Sequence, residues 1–138
     1  MPIKAENRAL YPADWQAVRD GLYGIGPQAG GMLGHLFESL ATLCIRVVAQ
    51  AAEATVGHLR TRNGDHEIDL VVARDDGKVL AVEVKLAATV DDRDTVHLRW
   101  LADHLRDELL DAIIVNTGPN AYRRPDGIGV VPLALLGS

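Results

Sequence analysis

The chain has 138 residues, 48% of them hydrophobic and 24% charged, which suits one domain with one core and excludes a disordered or low-complexity polypeptide. Its net charge of −5 excludes the broadly basic surface of a typical nucleic-acid-binding domain. A cation held among clustered acids would offset part of that charge locally.

Residues 1–28 combine Pro2, Pro12 and Pro27 with several glycines, which predicts an irregular lead-in carrying a short helix near Ala13–Arg19. The folded domain is expected over 29–138. The opening MPIKAENRALYPADW lacks the apolar core of a signal peptide, and no run approaches the length of a membrane span, so a cytoplasmic location is expected.

From about Gly31 to Glu53 the pattern is helical. Leu33, Leu36, Phe37, Leu40, Leu43, Cys44 and Val47 form an apolar stripe, and His35, Ser39, Thr42, Arg46 and Gln50 form a polar one. Glu38 belongs to neither stripe. Its helical neighbours are Gly34, Ala41 and Ile45, so its carboxylate projects from a small-residue surface suited to close contact with a sheet; the plain alternative is a solvated surface glutamate. Cys44 is the single cysteine, which rules out an internal disulfide and reads as an inert buried thiol in a reducing compartment.

Ala54 to Arg62 reads as a strand followed by an Asn63-Gly64 turn. His66 to Ala87 then reads as a β-hairpin, HEIDLVVA and VLAVEVKLA around a DDGK turn region. Asp69 interrupts one apolar strand, and Glu83 with Lys85 interrupts the other. A two-residue loop at Asp76-Gly77 would set Asp69 opposite Val84 and separate the charges. A three-residue loop, Asp75-Asp76-Gly77, with Gly77 in the left-handed region sets Asp69 opposite Glu83 and Glu67 opposite Lys85. The odd loop is the expected one. Opposed carboxylates repel, by up to about 1 kcal/mol on an exposed sheet and more when buried. A divalent ion would relieve that repulsion; a Glu67–Lys85 ion pair beside a half-solvated Asp69 is the plainer arrangement.

A second helix is expected from about Asp91 to Leu110, opened by Asp91, Asp92 and Asp94 and packing through Val96, Leu98, Leu101, Leu105 and Leu109. DAIIVNTG reads as a buried strand and GIGVVPLALL as a closing one.

Taken in order, the helix glutamate Glu38 in GHLFESL, Asp69 in EIDLVV, and Glu83 and Lys85 in VEVK resemble the motif of the PD-(D/E)xK nuclease superfamily. The likeness spans roughly residues 30 to 118. Its implied fold class is α/β, with a restriction-endonuclease-like α-β-β-β-α-β core and a central mixed sheet flanked by helices. More narrowly, KAENRALYPAD, the GHLFE helix, RTRNGDHEIDLVV and GIGVVPLALL resemble the C-terminal domain of unknown function 4143, which follows the ATPase module of bacterial and archaeal AAA-type proteins. The chain has no GxxxxGK[ST] sequence, so the resemblance implies an ATPase partner elsewhere.

The resemblance implies a Mg²⁺- or Mn²⁺-dependent nuclease acting on DNA. Asp69 and Glu83 would be metal ligands, the Val84 carbonyl would complete the shell, Glu38 would hold a second ion or a water, and Lys85 would act on the attacking water. Arg60 and Arg62, on one face of the strand before the hairpin, are the candidate phosphate contacts, because a guanidinium donates two parallel hydrogen bonds to phosphate. Two other functions compete with this one: a non-cutting module that positions DNA or a partner for an ATPase, and a homodimerising domain, since members of this superfamily often pair.

Overall fold

The computed structural model describes residues 29–136, and the lead-in helix expected at Ala13–Arg19 lies outside them. Helix α1 (Ala29–Ala51) is followed by strands β1 (Thr55–Arg60), β2 (Glu67–Ala73) and β3 (Val79–Val84). A 3-10 turn (Asp92–Thr95) leads into helix α2 (Val96–Leu105), and β4 (Leu109–Asn116), β5 (Tyr122–Arg123) and β6 (Gly129–Pro132) complete the chain. The strands form one six-stranded sheet in the order β1-β2-β3-β4-β6-β5. The first three are antiparallel, β3, β4 and β6 run parallel, and β5 is antiparallel to β6. This is an α/β fold with a mixed sheet flanked by helices, in the expected α-β-β-β-α-β order.

Alternation along the central strands sends neighbouring side chains into two separate cores. Ile68, Val71, Val79, Ala81, Ala112 and Ile114 pack with Leu98 and Leu101 of α2. Leu70, Val82 and Val115 pack with Ala41, Ile45 and Ala49 of α1. Complete burial of an Ile, Leu or Val side chain stabilises by about 1.5–3 kcal/mol, so both faces of the sheet anchor the central strands.

Helix α1 meets the sheet through its small-residue surface and not through its bulky stripe. The bulky stripe of Leu33, Leu36, Leu40, Leu43 and Val47 faces solvent, Cys44 is only half-buried, and the sheet receives Ala41, Ile45 and Ala49 instead. Small side chains let the helix backbone approach the strands. Periodicity locates both stripes but does not say which one meets the sheet. Contrary to the expectation that no run approaches the length of a membrane span, Gly31–Ala51, among the described residues, is long and apolar enough to cross a membrane by length and composition, although one of its faces is here packed on the sheet.

The second helix is shorter than expected. Asp91 and Asp94 form a reciprocal capping box around the 3-10 turn. Arg106, at φ 49°, ends α2, so Leu109 belongs to β4, while Val96 stays exposed. The closing segment splits into β6 and a 3-10 turn, Leu133–Leu135, and the short β5 is an additional strand.

The hairpin has the odd loop. Arg74 N–H donates to the Lys78 carbonyl at 2.9 Å across Asp75-Asp76-Gly77, and Gly77 adopts φ 84°. The ladder then runs Ala73↔Val79 to Leu70↔Val82. On its other side β2 is bulged: between Gly57↔Val71 and Leu59↔Ile68, both Asp69 and Leu70 face the single residue His58. Ile68 and Val71 therefore share one core while Leu70 enters the other.

Candidate active site

Continuing the hairpin register one step past Leu70↔Val82 sets Asp69 opposite Glu83. Their carboxyl groups hydrogen-bond to each other, and Asp69 Oδ2 also accepts the Val84 N–H at 2.8 Å. Asp69 thus replaces a ladder partner with its own side chain, as the bulge permits. Burial raises the Asp69 pKa against the opposing pull of these hydrogen bonds. Glu83 is pushed up to about 9, first by burial and then by the charge of Asp69 and the hydrogen bond to it. The physical picture is a shared proton carried mainly on Glu83, because two buried carboxylates in contact do not both ionise.

Glu38 reaches toward this pair from α1. Its pKa is raised by burial and by the charge of Asp69, against the pull of His35, whose Nδ1 lies 3.9 Å from Glu38 Oε2. Exposed Glu67 adds negative charge felt by Asp69, Glu83 and Glu38. The acids singled out in the sequence are brought together electrostatically.

Glu83 Oε1 is buried and has no hydrogen-bond partner. An orphaned carboxylate oxygen beside a second carboxylate fits a hard cation, which takes oxygen ligands only. Among the described residues no group of three or more His, Cys, Asp or Glu side chains forms a ready metal cluster. A cation placed here would have Asp69 and Glu83 as its side-chain donors, and main-chain oxygen such as that of Val84 and solvent would have to complete its shell. That composition is ordinary for Mg²⁺, which typically keeps several waters.

Lys85 departs from the expected cross-strand pairing. Its ammonium donates to Asp94 Oδ2, the same oxygen that accepts the Asp91 N–H at 2.8 Å, and not to Glu67. The strand ends at Val84, and the chain then turns toward the start of α2, carrying Lys85 to the capping box. The sequence shows Asp94 only as one acid in a helix start; its position nine residues after Lys85 carries no recognisable signal.

Arg60 and Arg62 do not share a strand face. β1 ends at Arg60, which lies opposite Glu67, and Arg62 sits in the turn closed by Thr61 N–H to the His66 carbonyl at 3.0 Å. Thr61 and Asn63 side chains organise that turn and halt the strand early. Other arginines serve the fold: Arg123 pairs with Asp111, and Arg124 bridges Asp126 and Asp92 while donating to the Val90 carbonyl. A histidine cluster borders the hairpin as well. His66 stacks on Trp100 at 4.1 Å, and its Nδ1 lies 3.2 Å from that of His97. Only the fold joins these residues, which are about thirty positions apart in the chain.

A family model described as the domain of unknown function DUF4143 matches residues 33–136. The chain belongs to the DUF4143 family. The match runs from within the first turns of α1 to the turn after β6, so every candidate site residue lies within the DUF4143 domain. No curated protein and no solved structure matches this DUF4143 chain.

Proposed function

We propose that this DUF4143 domain is a PD-(D/E)xK-type phosphodiesterase, a Mg²⁺- or Mn²⁺-dependent cytoplasmic nuclease acting on DNA as the C-terminal part of an ATPase-associated protein. The observation that carries the reading is the Asp69–Glu83 pair: two carboxyls lie in hydrogen-bond contact, and Glu83 Oε1 is buried without a partner. A structural ion pair would have paired one of them with a cation side chain.

Bound Mg²⁺ would supply Lewis-acid polarisation of the phosphoryl oxygen and a more acidic water. Asp69 and Glu83 would be its side-chain ligands. Asp69 is already oriented by the Val84 N–H, and Glu83 would have to release its proton to solvent for an ion to bind, so affinity would rise with pH. Glu38, on the adjoining α1, would hold a bound water beside the ion. Lys85, released from Asp94, orients the attacking water or meets charge on the phosphate. Arg60 contacts the backbone beside Glu67, with Arg62 in the adjoining turn, which implies recognition of shape and backbone and no base reading.

A second reading, a nuclease-fold module that binds DNA or a partner without cutting, is favoured by one observation: Lys85 is engaged by Asp94. Nicking of supercoiled DNA with Mn²⁺ separates the two. Cutting by the wild type and none by Asp69→Ala supports the enzyme; no cutting by either, alongside intact Mn²⁺ binding, supports the module.

A further inference from the structure

A cavity of about 180 Å³ lies between the last turns of α1 and the sheet, toward the loop end of the hairpin. Val72 and Leu80, paired across the hairpin, line one side of it, and Ile45 and Ala49 of α1 line the other. All four belong to the core beneath α1, so the cavity is preformed. Val48 and Leu110, 51% and 47% exposed, make an apolar rim. Arg74 is the one charged residue of the lining, and Ala52 leaves open a space that a larger side chain would fill.

A second hollow of about 290 Å³ adjoins the first, sharing Ala52 and Arg74 with it and adding Glu53, Asp75 and Asp76. Asp76 is committed within its own turn, where it accepts from the Arg74 guanidinium and from the Lys78 N–H. Among the described residues no hydrogen bond or ion pair engages the carboxylates of Glu53 and Asp75. The hollow therefore sets three carboxylates against one guanidinium, and two of the three are free. Glu53 sits at φ 56° in the turn that ends α1, where glycine is the usual residue, so the chain presents a carboxylate at this point.

Size and charge together define the occupant. An apolar cavity of about 150 Å³ takes one benzene-sized guest, so this one takes a single Leu, Ile or Phe side chain. It is smaller than the roughly 300 Å³ at which small-molecule sites begin. The adjoining carboxylates and Arg74 are exposed, so the hollow does not enclose a ligand; it complements a cation held beside the anchor. A buried apolar anchor with opposite charges at its rim is how a protein partner gains affinity and register. We propose that this corner docks a peptide segment of a protein partner, seating one Leu, Ile or Phe side chain in the cavity and a neighbouring Lys or Arg against Glu53 and Asp75. The site lies away from Asp69 and Glu83 and is independent of the nuclease reading.

The test titrates the isotope-labelled full-length chain with the peptide acetyl-Lys-Lys-Phe-Lys-Lys-amide and follows the amide NMR spectrum. The expected result is saturable shifts concentrated at residues 52–54 and 72–76, weakening as salt is added. Peptides with Ala in place of Phe, or Glu in place of each Lys, should bind at least about tenfold more weakly. Ala52→Leu, which fills the cavity, should abolish the shifts while far-UV circular dichroism stays that of the folded protein. Glu53→Gln combined with Asp75→Asn changes only exposed side chains; it should weaken binding several-fold and flatten its salt dependence, whether or not Ala52→Leu folds. No saturable shifts at millimolar peptide, or shifts centred elsewhere, overturn the proposal, as does equal binding of the peptide lacking Phe. So does a chain that dimerises by light scattering and becomes monomeric in Ala52→Leu, since a second copy would then be the occupant.

Discussion

Replacing Glu83 with Gln tests the proton shared at the centre of the candidate site. In the folded protein Glu83 holds its proton up to about pH 9, against an ordinary value of 4.5. Because the folded pKa is the higher one, the stability Glu83 contributes is complete below pH 4.5 and declines as pH rises through the interval to about 9. Each unit of difference corresponds to about 1.4 kcal/mol, so the wild type should lose on the order of 3 kcal/mol from this group by about pH 7. Gln resembles the protonated acid and can still donate to Asp69, yet it has no proton to bind. Glu83→Gln should therefore match the wild type near pH 5 and exceed it in stability at pH 8, with a flatter pH dependence between. Urea unfolding followed by circular dichroism across that range measures both slopes. Parallel slopes, or a variant less stable than wild type at pH 8, would refute the shared-proton account. Mn²⁺ supplies a second arm. A ligand at a hundred times its dissociation constant stabilises by about 2.7 kcal/mol. The wild type should gain this kind of increment, more at pH 8 than at pH 6, and the variant should gain little.

Lys85→Ala should abolish any DNA nicking while preserving most Mn²⁺ stabilisation, because its amine sits on Asp94 and outside the carboxylate pair; calorimetry and a plasmid assay run together check this. Gly77→Ala should destabilise by about 1–2 kcal/mol, since a Cβ at φ 84° meets the left-handed penalty, and a chemical melt reads it directly. Gly118→Ala should cost about 1–3 kcal/mol, because its Cβ would lie 2.8 Å from the Ala88 carbonyl oxygen and 3.1 Å from Asn116 Nδ2. A thermal melt unchanged from wild type would contradict that crowding.

Local chemistry in the chain is enough to determine the hairpin. Gly77 tolerates a positive φ, the odd loop follows, and with the parity of the loop comes the placement of Asp69 opposite Glu83. The small-residue surface around Glu38 is likewise legible as one able to approach a sheet closely. These features depend on neighbours in sequence and on periodicities of 2 and 3.6. The tertiary structure decided what depends on distant partners. It buried the Ala41, Ile45 and Ala49 face of α1 and left the heavier leucine stripe outside, because close approach to a sheet favours small side chains over greater hydrophobicity. It also bulged β2 opposite His58 so that Asp69 could take the Val84 N–H. Lys85 was drawn to Asp94 by a capping box whose location depends on how the chain crosses from β3 to α2. Arg60 and Arg62 were parted because Thr61 and Asn63 closed a turn where strand alternation alone would have continued.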